Sequence, residues 1–279
     1  MRSSQAVIPT LPTLPTLPTL AAVVLVAGAG CDAGTTKLLG SDYCAVPVAA
    51  PPADLGADRF YGKYLDGGGV PVMSSSAVDD KAVVSACQIV LHMLRARKDV
   101  RDAMTRQHQS VAIIGVNEVT TDIPEYRNLY QMYPNSSDWD RLRGVGATTI
   151  IPVASVGEEN MLCLPNDVFA GERLLVQTFA TAVKLGVEDV DNTFKSRVRA
   201  AYDAATSAGL WRNTYAGAND IEYYAEGVQS WFDANPDVAQ PDGTNGPINT
   251  RGELKAYDPA LAALIGETMP DDPWRPTCP

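Results

Sequence analysis

The sequence predicts an α+β fold, in which a small, mainly antiparallel sheet precedes a helical C-terminal half. Two patterns predict it. Short apolar runs bounded by turn residues, at Val70–Met73, Ser110–Val116 and Thr148–Val153, all lie in the first part of the chain. Beyond Gly171 the apolar residues recur at spacings of three and four, as helices with one buried face require.

The chain has 279 residues, 46% of them apolar, which suffices for one domain with a full core. A formal charge of -11 argues against nucleic acid or an anionic membrane held by a general basic field. Arg95, Arg97, Lys98 and Arg101 are interrupted by Asp99 and Asp102 and read as the solvated end of a helix.

Residues 1–31 read as an export signal of the lipoprotein type. Arg2 supplies a weak positive start. PTLPTLPTLPTL, from Pro9 to Leu20, excludes a regular helix because proline recurs at every third position. Leu20–Ala29 is an apolar run too short to span a bilayer. Ala27-Gly28-Ala29-Gly30-Cys31-Asp32 resembles the cleavage box of bacterial lipoproteins, in which Cys31 would be acylated, although Gly28 stands where leucine is usual. Acylation at Cys31 and ordinary cleavage after Ala29 both lead out of the cytosol. A lipid on Cys31 is then the one expected membrane contact. With Cys31 set aside, Cys44, Cys87, Cys163 and Cys278 remain, and in an oxidising compartment they allow two disulfides in three connectivities. Their spacing does not choose among the three.

Residues 32–58, rich in Ala, Pro, Gly and Asp, read as a flexible tether, so the domain is expected over residues 59–279. Asp66-Gly67-Gly68-Gly69 is a turn, and Val70–Met73 reads as an edge strand because Pro71 has no N–H for a ladder. Ser76–Arg97 carries the helical stripe Val83, Ala86, Cys87, Val90, Leu91 and Leu94, with Asp79 or Asp80 as cap. His92 within it has no nearby second histidine and reads as structural. Ser110–Val116 is a central strand that empties into a polar loop carrying Glu118 and Asp122, a common way to line a cleft. Thr148–Val153 and Glu158–Cys163 read as further extended pieces, paired antiparallel.

GERLLVQTFATAVKLG, Gly171–Gly186, reads as one buried helix, with Leu175, Phe179, Ala182 and Val183 on its apolar stripe and Gly186 as its stop. Gln177 and Thr181, four apart, share another face. A third helix covers Asp191–Ala208. A fourth, capped by Asn219 or Asp220, holds Glu222, Tyr223 and Glu226, and a short one spans Pro259–Thr268 before a proline-rich tail.

GERLLVQTFATAVKLG followed by EYYAEGVQSWFD resembles bacterial secreted and lipoprotein-type zinc metallopeptidases of the gluzincin kind, distantly like the catalytic domain of anthrax lethal factor. The resemblance runs from about Phe60 to Trp274 and includes AIIGVNEVTTDIPE and GEENMLC. It implies a zincin-like scaffold, in which an H-E-x-x-H helix is completed by a glutamate on a later helix. On this sequence Gln177 and Thr181 stand where the histidine ligands belong, Thr178 where the general base belongs, and Glu226 matches the third ligand. Zinc is the cofactor of such proteins. An amide and a hydroxyl replace its histidine donors here and a second hydroxyl replaces the general base, so no metal and no ordinary zinc hydrolysis are expected.

The resemblance thus implies an exported, inactive metallopeptidase homologue that acts as a binding or cell-envelope protein, with a peptide or protein ligand. Glu118, Asp122, Glu222 and Tyr223 are its candidate cleft residues. The orphaned Glu226 is expected to be protonated or hydrogen-bonded by Gln177, Thr181 or Tyr223. The alternative is a hydrolase that works through a non-standard set of these carboxylates.

Overall fold

The computed structural model describes residues 41–134 and 138–279. The expected export signal, its anchor Cys31 and the start of the expected tether lie outside the described residues. Four strands form one sheet in the order β1-β2-β3-β4: Lys63–Asp66, Pro71–Ser74, Ser110–Ile114 and Val153–Gly157. Only β1 and β2 pair antiparallel, through the turn at Asp66–Gly69, in which the Asp66 carboxylate accepts the Gly69 N–H at 2.6 Å.

The expectation of a mainly antiparallel sheet is corrected, because β2–β3 and β3–β4 are both parallel. Parallel neighbours need long crossovers, and the chain supplies them. Helices α1 (Asp80–Leu94) and α2 (Lys98–Arg106) fill the first, and residues 115–152, with the single-turn helix α3 (Leu129–Met132), fill the second. The β2 segment is therefore internal rather than an edge, with Pro71 at its first position, where a missing donor is tolerated. The last strand begins at Val153, where the expected one ended, and the 158–163 segment is a short helix, α4 (Glu158–Leu162), closed by Cys163 in the left-handed region at φ 55°.

Strand residues alternate between two cores. Val72, Val111, Ile113, Ala154 and Val156 face the helices, while Met73, Ala112, Ile114 and Val153 face Ile123, Tyr126 and Trp139 of the second crossover. α1 is capped by Asp79, whose carboxylate accepts the Lys81 N–H at 2.8 Å. His92 within it is buried and stacked on Trp274, as a structural histidine would be, and burial lowers its pKa to about 4.

The helical half comprises α5 (Leu174–Val190), α6 (Phe194–Ser207), α7 (Asp220–Trp231), α8 (Arg251–Tyr257) and α9 (Pro259–Gly266). Gly186 is not the stop of α5, which runs on to Val190. Its missing Cβ admits α2, since a methyl there would stand 2.6 Å from Met104 Cγ. Two disulfides, Cys44–Cys87 and Cys163–Cys278, select one of the three connectivities and suit an oxidising compartment. The first overturns the reading of residues 41–58 as flexible tether. Cys44 is buried against α1, and Ala49 pairs with Tyr64, so the domain extends N-terminal of residue 59. Among the described residues, no helix is long and apolar enough to cross a membrane.

Candidate functional site

The elements that matter are α5 and α7, which lie against each other. Two local devices align them. Asn219 caps α7 by accepting the N–H groups of Ile221 and Glu222 at 2.9 and 3.0 Å, which sets the helix phase. The Arg173 N–H, just before α5, donates to the Ala234 carbonyl just after α7 at 2.9 Å. In that alignment the Gln177 amide Nε2 donates to Glu222 Oε2 at 2.9 Å, with both residues buried.

The acid facing Gln177 is therefore Glu222, not Glu226. The two differ by one helical turn, and sequence spacing alone does not say which turn of α7 lies level with residue 177. Burial raises the Glu222 pKa to about 7, against the opposing pull of hydrogen bonds from Tyr215 and Gln177. Glu226 is held well above the usual carboxylate range by burial first, and then by repulsion from Glu172 and Glu222. The expected donors to Glu226 are engaged elsewhere. Gln177 turns to Glu222, and the Thr181 hydroxyl donates to the Thr178 carbonyl at 2.7 Å. The Tyr223 hydroxyl donates to Asp258 at 2.6 Å, in a network shared with Trp211, so Tyr223 leaves the candidate cleft.

The face of α5 that carries Thr178 and Thr181 is covered. An extended segment around Gly144–Gly146 bonds to β4 through the Val145 carbonyl and the Ser155 N–H at 2.9 Å, and lies directly on that face. A Cβ on Gly146 would come within 2.8 Å of Thr181 Oγ1, and one on Gly144 within 3.2 Å of Thr178 Cγ2. Thr178 Oγ1 is buried and has no hydrogen-bond partner among the described residues.

Glu118 and Asp122 do not join this group. Glu118 Oε2 accepts the Gly115 N–H at 2.7 Å, and Asp122 Oδ2 accepts the Val119 N–H at 2.9 Å, so both carboxylates close their own turns. The expected cleft-lining role of that loop is corrected to a capped turn.

Zinc takes imidazole, thiolate or carboxylate donors. The amide of Gln177 and the hydroxyls of Thr178 and Thr181 do not fit that set. Gln177 moreover presents an N–H to the carboxylate where a metal ligand would present a lone pair. No reaction step is therefore derived through zinc.

Sequence reasoning missed Glu172, Tyr215, Asn245 and the Gly144–Gly146 segment. Glu172 is buried and accepts from Asn245 Nδ2 at 3.3 Å. Tyr215, in the turn before α7, has its pKa raised by burial and then by Glu222 and Glu226. A charge just ahead of a helix reads as solvated, and a loop tyrosine has no periodicity to place it. The Gly-x-Gly pair was a usable signal of close backbone approach. Beside these carboxylates lies a cavity of about 80 Å³, lined in part by Glu226, Asn245, Trp211 and Tyr257.

No family model matches the chain, and no curated protein matches it. Among solved structures it is similar to the Pro-Pro endopeptidase PPEP-2 from Paenibacillus alvei, at 17% identity and a TM-score of 0.47. The match covers 70% of this chain and 96% of that one. A likeness so loose transfers no residue roles.

Proposed function

We propose that this chain is an exported, non-catalytic protein on a zincin-like metallopeptidase scaffold, acting as a binding or cell-envelope protein with a peptide or protein ligand. The observation that carries the reading is the Gln177–Glu222 hydrogen bond between α5 and α7. An amide and a carboxylate meet there directly, one helical turn before Glu226, the residue that the resemblance gives as the third ligand. The hydroxyls at 178 and 181 complete a set of side chains that neither holds zinc nor accepts a proton from its water. Export, and a lipid on Cys31, rest on the N-terminal sequence together with the suitability of two disulfides for an oxidising compartment. Mass spectrometry of the mature N-terminus distinguishes acylated Cys31 from cleavage after Ala29.

One observation favours a second reading. A carboxyl with a pKa of about 7 is suited to general acid–base work, so Glu222 is the residue on which a surviving hydrolase would depend. Its burial and its bond to Gln177 weigh against that role, because substrate would first have to displace the amide.

The test is digestion of casein and a peptide library between pH 5 and 8, with and without chelator, beside metal analysis of the purified protein. The expected result is no cleavage and no stoichiometric zinc. Chelator-sensitive cleavage with bound zinc overturns the proposal. Chelator-insensitive cleavage lost in Glu222→Gln establishes the second reading instead. The triple substitution Gln177→His, Thr178→Glu and Thr181→His should not by itself restore zinc uptake, because the Gly144–Gly146 backbone lies on residues 178 and 181 and leaves no room for larger side chains.

A further inference from the structure

The cavity beside α7 is a ligand site in its own right, and its residues indicate what it takes. Glu226 lines it, is 6% exposed, and among the described residues receives no hydrogen bond on its carboxylate. A buried carboxylate in that condition costs free energy, whether it ionises without a partner or stays protonated. Its surroundings increase the demand for a cation, since Glu172 and Glu222 both repel it. The walls are of a different character. Trp211, Tyr257 and Ile248 offer aromatic and aliphatic surface, while Arg212 and Pro247 are exposed, so the cavity opens to solvent.

We infer that this cavity binds a primary ammonium group, with Glu226 as its counter-ion and the walls of Trp211 and Tyr257 around the attached methylenes. Three features select an ammonium group. It brings both the charge and the N–H donors that the Glu226 carboxylate lacks. A cavity of about 80 Å³ takes an ammonium with two or three methylenes and is too small for a folded side chain of greater bulk. The aromatic and aliphatic walls favour an alkyl chain behind the charge over a bare inorganic ion. A shared metal ion is the weaker choice, because among the described residues no group of three or more His, Cys, Asp or Glu is disposed to hold one.

The same chemistry comes from two sources, a free alkylamine or the side chain of a lysine in a peptide. The inference rests on the reading of the chain as a binding protein and names the group that its site takes. Arg212 at the mouth is the one cation of the lining, and it opposes entry of a second.

The experiment is a chemical-shift titration of the full chain with n-propylammonium chloride, n-propanol, calcium chloride, and two peptides that differ only in whether one lysine is Nε-acetylated. Propylammonium should bind saturably, and n-propanol and calcium should not. A preference for the unmodified over the acetylated peptide identifies a peptide lysine as the source, and equal indifference to both peptides identifies a free amine. Glu226→Gln should weaken propylammonium by about tenfold or more. Arg212→Ala, at an exposed position that does not threaten the fold, should tighten it several-fold.

Binding of n-propanol as tight as propylammonium, saturable calcium binding in its place, or affinity unchanged in Arg212→Ala overturns the inference. Proteolytic activity in the same preparation would instead overturn the proposed function, so the two failures are distinguishable.

Discussion

Two groups of buried carboxylates sit in this molecule and are treated in opposite ways. At the ends of β3 and β4, Glu159 meets Arg143 in a two-pronged pair at 2.6 and 2.7 Å. Arg143 also donates to the carbonyls of Gly115 and Glu118. Glu158 accepts the N–H groups of Asp79 and Val116 at 2.7 and 2.9 Å. Between α5 and α7, by contrast, Glu222 has neutral donors and Glu226, among the described residues, has none on its carboxylate. The difference teaches how to read a buried acid. One whose oxygens are all committed to backbone and guanidinium holds strand ends together, and one left facing its own kind keeps its chemistry for something else.

The comparison can be broken at either side. The largest effect is expected at Arg143→Ala, which strands Glu159 in the interior and should lower unfolding free energy by about 3–5 kcal/mol, read by urea denaturation. If the loss is below about 1 kcal/mol, the pair does not hold the strand ends and the contrast dissolves.

Next comes Glu222→Gln, where the sign depends on pH. A carboxyl whose pKa rises from 4.5 to about 7 on folding binds more protons in the folded state across that window. Stability falls as pH rises through it, so the penalty is absent at pH 4 and complete above pH 7, at about 3 kcal/mol. The variant should therefore be more stable than the parent at pH 8 and equal to it at pH 4. Thermal melts at the two pH values check this, and a variant less stable at pH 8 would refute it.

The smallest effect is expected at Thr178→Val. It removes a buried hydroxyl without a partner at nearly constant volume, and should raise stability by about 1 kcal/mol. A loss of similar size would mean that the hydroxyl is satisfied after all.

Much of the helical half was legible because its periodicity is strong. The stripe of Leu175, Phe179 and Val183 and the Asn219 cap lie where the sequence put them, and α6 falls within the expected Asp191–Ala208. The sheet was less legible. Val153–Gly157 is buried at every residue, so it has no alternation to mark its ends. Parallel pairing depends on crossovers that a local pattern does not show. Within the site, the sequence paired Gln177 with Glu226, whereas the glutamate that meets it is Glu222, one turn earlier on the same helix. The choice between Glu222 and Glu226 depended on how far one helix slides along the other, a property of packing rather than of either segment. Glu118 and Asp122 were read as cleft residues because loop carboxylates often are, and the turn geometry that satisfies them appears only in three dimensions.

The Cys163–Cys278 bridge spans a sequence separation of 115 and encloses every helix from α5 to α9. A load applied at the C-terminus therefore passes through sulfur straight to the end of α4, and the helices in between feel none of it. If this chain is tethered at one end and tugged at the other, its helical half behaves mechanically as a closed loop. Reduction would release about 400 Å of extra contour length, at roughly 3.5 Å per residue. Single-molecule stretching with and without reductant should show that length appear only when the bridge is cut.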